Sequence, residues 1–154
     1  MPKPVFILLA KSCTQDRDSN ALSVSEVVES FEFSPVLPSE QTLIVWEPLR
    51  LIAVWRGEES DGYGPDGKSD EFEFESIAHV PGAGSMVVSS GTFRFEKDRP
   101  VQRIIVAFLS PIPMKDSGLF RLESRIRTGG NDWISQDYAV LVKKVEAAIT
   151  HPSE

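Results

Sequence analysis

Hydrophobic and polar residues alternate with a period of two along most of the chain, which is typical of β-strands that bury one face. "EFEFESIAHV" (71–80) places its glutamates and His79 on one face and its phenylalanines on the other, and "LFRLESRIRT" (119–128) likewise turns its arginines outward. "VFILLAKS" (5–12) and "LRLIAVWR" (49–56) are apolar on both faces, so they predict central strands. Further strands are predicted at 92–96, 102–110 and 133–145.

The segments between these strands are rich in Gly, Pro and Asp, which favours turns. One segment is ambiguous: in "SVSEVVES" (23–30), Ser23 and Glu26 form a capping-box pattern while the valines favour a strand, and we expect a short helical turn there. No helical crossovers of the kind that parallel sheets require are indicated. The sequence therefore predicts an all-β fold, an antiparallel two-sheet β-sandwich of about seven to eight strands in one domain over 1–154, with 146–154 as a disordered tail.

Charge is unevenly distributed along this pattern. The formal net charge is −7 over 154 residues. Segment 47–75 contains nine acidic and three basic residues, whereas segment 94–144 contains ten basic and six acidic residues. An overall negative charge disfavours binding to nucleic acid, while two regions of opposite charge would orient a partner protein. We therefore expect another protein, rather than nucleic acid, as the partner.

Cysteine content and hydropathy bear on location. The single cysteine, Cys13, cannot form an internal disulfide. The apolar run at 5–10 is shorter than the core of a secretory signal, and no stretch approaches the roughly 18 apolar residues of a membrane-spanning helix. We expect a cytoplasmic protein that has no membrane contact and no cofactor.

Several stretches together resemble a family of small uncharacterised bacterial β-sandwich domains. These stretches are "VFILLAKSCTQDRDSNALSVSEVVESFEF", "LRLIAVWR", "PDG" before the next strand, and "GLFRLESRI". The resemblance implies the sandwich fold and a bacterial, cytosolic setting. It implies no catalytic activity and no functional residue.

The acidic loop "EESDGYGPDGKSDE" (58–71) has the highest density of candidate ligand atoms, with six carboxylates and three glycines. Three of its aspartates are candidate calcium ligands: Asp61, Asp66 and Asp70. Their spacing differs from that of a calcium-binding helix-loop-helix loop, and a complete site would need a second loop such as "TQDRDSN" (14–20). The other interpretation is a solvated connection in which Pro65 and Gly67 form a tight turn.

Arginine and tryptophan side chains are the candidate partner-binding residues: Arg94, Arg121, Arg125, Arg127, Trp46 and Trp133. Arg121, Arg125 and Arg127 share one face of a predicted strand, and Glu71, Glu73 and Glu75 share one face of another. If these two strands are neighbours, the two rows form a cross-strand charge ladder. If the strands lie in different sheets, the arginines with Arg103 form a cationic surface for an acidic partner or phosphates. Exposed Trp46 and Trp133 would suit a glycan platform, while Trp55 belongs in the core.

Catalytic motifs are missing from the sequence. Cys13 ends a buried-looking strand, and neither His79 nor His151 is placed beside it by any motif. No nucleophile elbow, zinc-binding histidine pair or phosphate-binding glycine loop is present. We therefore expect a non-enzymatic protein-interaction or binding module, with a calcium- or glycan-binding domain that uses loop 58–71 as the alternative.

Overall fold

The computed structural model describes residues 1–33, 42–43, 49–108, 112–114 and 116–145. Within these ranges the chain is mostly β-strand, with a single 3-10 turn at Glu59–Asp61. The strands are β1 (Lys3–Gln15), β2 (Leu22–Val27), β3 (Ser30–Phe33), β4 (Thr42–Leu43), β5 (Leu49–Arg56), β6 (Phe72–Val80), β7 (Gly84–Phe93), β8 (Val101–Phe108), β9 (Ile112–Pro113), β10 (Gly118–Thr128) and β11 (Ile134–Lys144).

Nine of these strands form two sheets, which confirms the all-β, sandwich-like fold but exceeds the predicted count of seven to eight strands. The four-stranded sheet has the order β2-β1-β5-β8, and the five-stranded sheet has the order β3-β11-β10-β6-β7. β4 and β9 form a separate short pair. The expectation of a purely antiparallel sandwich is wrong at one point, because β3 runs parallel to β11. This parallel pairing could not be inferred locally, because the paired residues, such as Ser30 and Leu141, are far apart in the chain.

The core lies between the two sheets and contains the residues that the alternating pattern placed there. Trp55 in β5 is fully buried, and its indole Nε1 donates a hydrogen bond to the Ser124 hydroxyl of β10, at 3.2 Å. Phe120, Leu122 and Ile126 of β10 are also fully buried. The predictions of a core tryptophan in β5 and of an inward apolar row in β10 are therefore confirmed.

The predicted helical turn at 23–30 is wrong, because this segment contains most of β2 and the start of β3. β2 pairs antiparallel with β1, and Val24 lies opposite Cys13. The capping-box pattern is local and its contribution is small, whereas strand pairing satisfies the backbone and lets the β-branched Val24 pack against its neighbours. Tertiary pairing thus overrides the local helix signal.

Side chains of the β1–β2 hairpin pack against outward side chains of β5 within the same four-stranded sheet. A second apolar cluster forms there around Ala10, Ile52 and Val54, on the face opposite to the main core. Cys13 and Val24 from the hairpin are half-buried against this cluster. This packing explains why β5 is apolar on both faces, as its sequence predicted, and it brings the hairpin turn towards β8.

The remaining differences concern boundaries. The strand predicted at 92–96 ends at Phe93 and begins at Gly84, so Arg94 follows β7. Trp46, His151 and the predicted tail 146–154 lie outside the described residues. In the part of the chain that the structure describes, no helix has the length and apolarity needed to cross a membrane.

Candidate functional site

The outer face of the five-stranded sheet carries a ladder of ion pairs between β6 and β10. In the register of these strands, Glu75 lies opposite Arg125, and Glu73 lies opposite Arg127. Nε of Arg125 donates to Glu75 Oε2 at 2.9 Å, and Nε of Arg127 donates to Glu73 Oε2 at 2.7 Å. The glutamate and arginine rows are therefore neighbours, and the first of the two interpretations, a cross-strand ladder, is confirmed.

The ring of Trp133 stacks with both arginines of this ladder. The guanidinium carbons of Arg125 and Arg127 are 4.5 and 4.3 Å from its ring centroid. Cation–π contacts of this kind stabilise a folded surface by about 0.5–1 kcal/mol when exposed. Since two guanidinium groups already stack on the Trp133 ring, this face of the indole is not open as a platform for a sugar ring.

Arg121 completes the charged face. Its Nη1 lies 3.5 Å from Glu123 Oε2 and 3.6 Å from Asp137 Oδ2. Across the face, three arginines contact four carboxylates. The arginine row of β10 is thus neutralised by its own sheet, and the second interpretation, an unpaired cationic row, does not hold for these three residues.

A hydrogen-bonded chain of Ser85, His79 and Glu123 crosses the same face. His79 Nδ1 is 2.6 Å from Ser85 Oγ, and His79 Nε2 is 2.7 Å from Glu123 Oε2. Burial acts to raise the pKa of Glu123, but the hydrogen bond with His79 and the electrostatic influence of His79 and Arg121 lower it overall. Sequence reasoning placed His79 outward but missed Ser85 and Glu123, because the link depends on strand order.

This chain has the order of nucleophile, base and orienting carboxylate that acyl transfer uses. Catalysis also needs donors that stabilise the developing oxyanion. Here the three side chains stand on the flat face of a sheet, where backbone N–H groups lie in the plane of the strands rather than pointing towards the reacting atoms. We therefore interpret the Ser85–His79–Glu123 chain as a network that ties β7, β6 and β10 together.

The acidic loop 58–71 is anchored to the body of the domain. The Asp61 side chain is 3% exposed, and its Oδ2 accepts the backbone N–H of Glu58 at 2.6 Å. Its Oδ1 is 3.1 Å from the Met1 amino group. Ser69 is buried and accepts the Phe95 N–H at 2.7 Å. Asp61 and Ser69 therefore hold the two sides of the loop in place.

Of the other two candidate aspartates, Asp66 is engaged in a turn. Asp66 Oδ1 accepts the Lys68 N–H at 3.1 Å, and Gly67, with a φ of 77°, closes the turn that begins at Gly64. Glycine is favoured at such a positive φ. The predicted tight turn is confirmed. Among the described residues, no group of three or more His, Cys, Asp or Glu side chains is placed to hold a metal ion, so Asp61, Asp66 and Asp70 do not form a three-carboxylate site.

A groove of about 520 Å³ lies on the four-stranded sheet along β8, and we refer to it as the arginine groove. Its volume is within the range of roughly 300–1,000 Å³ that is typical of ligand pockets. The outward residues of β8 form its floor, the β1–β2 turn forms one wall, and the connection from β7 to β8 forms the other. It is lined by Gln15, Asn20, Arg94, Glu96, Arg99, Val101, Gln102, Arg103 and Ile105.

The arginine groove carries an excess of positive charge. Three arginines and one glutamate line it, together with the side-chain amides of two glutamines and an asparagine. Arg94 donates to the Ser69 carbonyl at 3.0 Å and lies 4.0 Å from Glu71. Arg99 and Arg103, in contrast, form no ion pair with a carboxylate among the described residues. These two guanidinium groups are available to an anionic ligand.

The hairpin orients Arg103 in the groove. Its Nη1 lies 3.5 Å from the side-chain oxygen of Asn20, which has a φ of 57° in the turn after β1. Sequence reasoning singled out Arg94 and Arg103 but missed Arg99 and the amides. The alternation of Val101, Arg103 and Ile105 marked one face of β8, but only the tertiary position of the β1–β2 turn supplies the opposite wall.

Comparison with known proteins adds no family assignment. No protein-family model matches the chain. No curated protein is similar to it at a significant level. The chemistry of the arginine groove and the ladder is therefore the basis for inferring function.

Proposed function

We propose that this protein is a non-enzymatic binding module that recognises an acidic segment of another protein in the arginine groove. The observation that carries the proposal is the charge of this groove, where Arg99 and Arg103 have no carboxylate partner among the described residues. Guanidinium groups bind carboxylates through charge-assisted, frequently bidentate hydrogen bonds, which gives both affinity and orientation.

The ladder on the other sheet is a less suitable surface for an acidic partner, because its arginines are already paired. There each arginine of β10 already contacts a carboxylate, so a partner would have to break existing pairs before it formed new ones. In the arginine groove an acidic partner would supply the negative charge that Arg99 and Arg103 lack, and no existing ion pair of these two residues would have to break. Of the arginines singled out from the sequence, Arg103 is therefore the one that we assign to partner recognition. Arg94 also lines the groove, but it already contacts Ser69 and Glu71.

The absence of catalytic motifs in the sequence, together with the flat setting of the Ser85–His79–Glu123 chain, favours binding over catalysis. We place the protein in the bacterial cytoplasm, as its single cysteine and its resemblance to small bacterial sandwich domains suggest. A rigid sheet edge with flanking loops is a common way for such a domain to present a recognition surface.

Charge reversal in the groove tests the proposal. Two fluorescently labelled pools of random peptides are used, one enriched in Asp and Glu and a matched one enriched in Lys and Arg. We expect the wild-type protein to bind the acidic pool, and the variant Arg99→Glu/Arg103→Glu to lose at least about tenfold in affinity, since tenfold corresponds to about 1.4 kcal/mol. Fluorescence anisotropy at low and high salt measures both effects, and binding should weaken with salt.

The control variant is Lys143→Glu/Lys144→Glu, which changes the net charge by the same amount at two exposed positions of β11 in the other sheet. It should bind the acidic pool like wild type. Equal binding of the acidic and basic pools would contradict the proposal. Loss of binding in Arg127→Glu but not in Arg99→Glu/Arg103→Glu would also contradict it, by assigning recognition to the ladder.

A further inference from the structure

We infer that the partner segment joins the four-stranded sheet as an additional strand along β8. This segment carries a central acidic residue, with an apolar residue two positions before it and another two positions after it. This inference rests on the proposed function and specifies its ligand. It follows from three properties of β8: its position in the sheet, the side chains on its outer face, and the charge at its centre.

The first property is the position of β8. Within the described residues β8 pairs with β5 on one side and ends the sheet order on the other. An edge strand presents backbone N–H and C=O groups that an extended chain can pair with. β8 has eight residues and no proline between Val101 and Phe108, so the strand itself places no obstacle to such pairing.

The second property is the set of outward side chains. Val101 is 45% exposed and Ile105 is 38% exposed, and Arg103 lies between them on the same face. In an added strand, every second side chain points to that face, so three of its side chains would lie beside Val101, Arg103 and Ile105. Cross-strand partners would therefore be an apolar residue, an acidic residue and an apolar residue, each separated by one position.

The third property, the charge of Arg103, argues against a second copy of this chain as the occupant. Antiparallel pairing of two β8 strands centred on Arg103 would bring like charges together and would double the positive charge of the groove. An acidic partner segment removes this repulsion. Among the described residues, the other strands that end the two sheets are β2, β3 and β7. β2 and β3 each carry a glutamate and β7 has no charged residue, so none of them would select an acidic segment by charge.

A designed peptide tests the inference. The probe is a labelled, acetylated heptapeptide with aspartate at position 4, valine at positions 2 and 6, and threonine elsewhere. We expect it to bind the full chain, and replacement of the aspartate by lysine or of both valines by serine should each weaken binding at least about tenfold. Arg103→Glu should reverse the preference between the aspartate and lysine peptides, while Lys143→Glu leaves it unchanged.

Backbone methylation distinguishes strand addition from simple charge attraction. Only alternate residues of an edge-paired peptide direct their N–H groups to the sheet. N-methylation of one alternate set of amides should therefore abolish binding, and methylation of the other set should be tolerated. Equal effects of both sets, or no binding of the aspartate peptide, would overturn the inference.

Three outcomes show which of the two proposals fails. If both methylated peptides bind like the parent and Arg103→Glu still abolishes binding, strand addition is wrong while acidic recognition in the groove stands. If inorganic phosphate alone binds as tightly as the peptide and displaces it, the groove is a small-anion site and the inference is overturned. If neither the peptide nor the acidic pool binds, both proposals fail.

Discussion

Replacement of Trp55 by alanine is expected to lower the free energy of unfolding by about 3–5 kcal/mol, because it deletes a large side chain that is fully buried between the two sheets. A loss of this size is a large part of the roughly 5–15 kcal/mol that stabilises a typical domain. Urea denaturation followed by far-UV circular dichroism measures it without depending on tryptophan fluorescence.

A milder variant keeps this prediction testable if Trp55→Ala does not fold. Ser124→Ala removes the hydroxyl that accepts the Trp55 indole N–H at 3.2 Å and leaves a buried donor without a partner, which should cost about 1–3 kcal/mol. Trp133→Ala is the control, since it removes only a half-buried ring that stacks on two guanidinium groups. If Trp133→Ala destabilised the protein more than Trp55→Ala, this description of the core would be wrong.

Replacement of Asp61 by alanine is expected to lower the free energy of unfolding by about 1–3 kcal/mol. The side chain is 3% exposed, and its loss leaves the Glu58 N–H without its acceptor at the base of loop 58–71. Thermal and urea unfolding of the full chain measure the change. The reason is structural, so the loss should be the same in millimolar calcium and in chelator.

Asp98→Ala provides the control for Asp61→Ala. Asp98 is exposed in the turn between β7 and β8, and its replacement should change the free energy of unfolding by no more than about 0.5 kcal/mol. The structural account of the loop would be contradicted by a neutral Asp61→Ala variant combined with calcium-dependent stabilisation of the wild-type protein. That result would instead favour a cation site at Asp61, Asp66 and Asp70.

The periodicity of apolar residues predicted much of the fold, because each side chain along a strand faces either the core or the solvent and its polarity matches that side. β5 is apolar on both faces in the sequence, and in the structure it packs against the main core on one face and a second cluster on the other. The alternation of β6 and β10 likewise separated their apolar and charged faces correctly. In these strands, local pattern and tertiary environment agree.

Strand order and long-range packing were the parts that periodicity could not supply. Ser23 and Glu26 predicted a helical turn, and pairing with β1 overrode that signal. The glutamate and arginine rows left two interpretations open, because nothing local decides whether β6 and β10 are neighbours. For the same reason the sequence did not reveal the arginine groove, whose lining residues span positions 15 to 105.

The arginines of this domain occur in two different electrostatic settings. Arg125 and Arg127 are held by carboxylates and by Trp133, so they stabilise the outer face of one sheet. Arg99 and Arg103 lack such partners in the described part of the chain and line a recess beside an edge strand. This difference in pairing is the reason why the proposed acidic ligand is assigned to the arginine groove and not to the ladder.

Chemical-shift mapping with the aspartate heptapeptide tests the central claim, acidic recognition in the arginine groove, most directly. The measurement is the change in backbone amide resonances of the isotope-labelled full chain during titration. The account predicts the largest changes along Val101–Ile105, with further changes at Arg94, Arg99 and the turn that contains Asn20. Changes centred instead on Arg125, Arg127 and Trp133, or no saturable change at any residue, would contradict it.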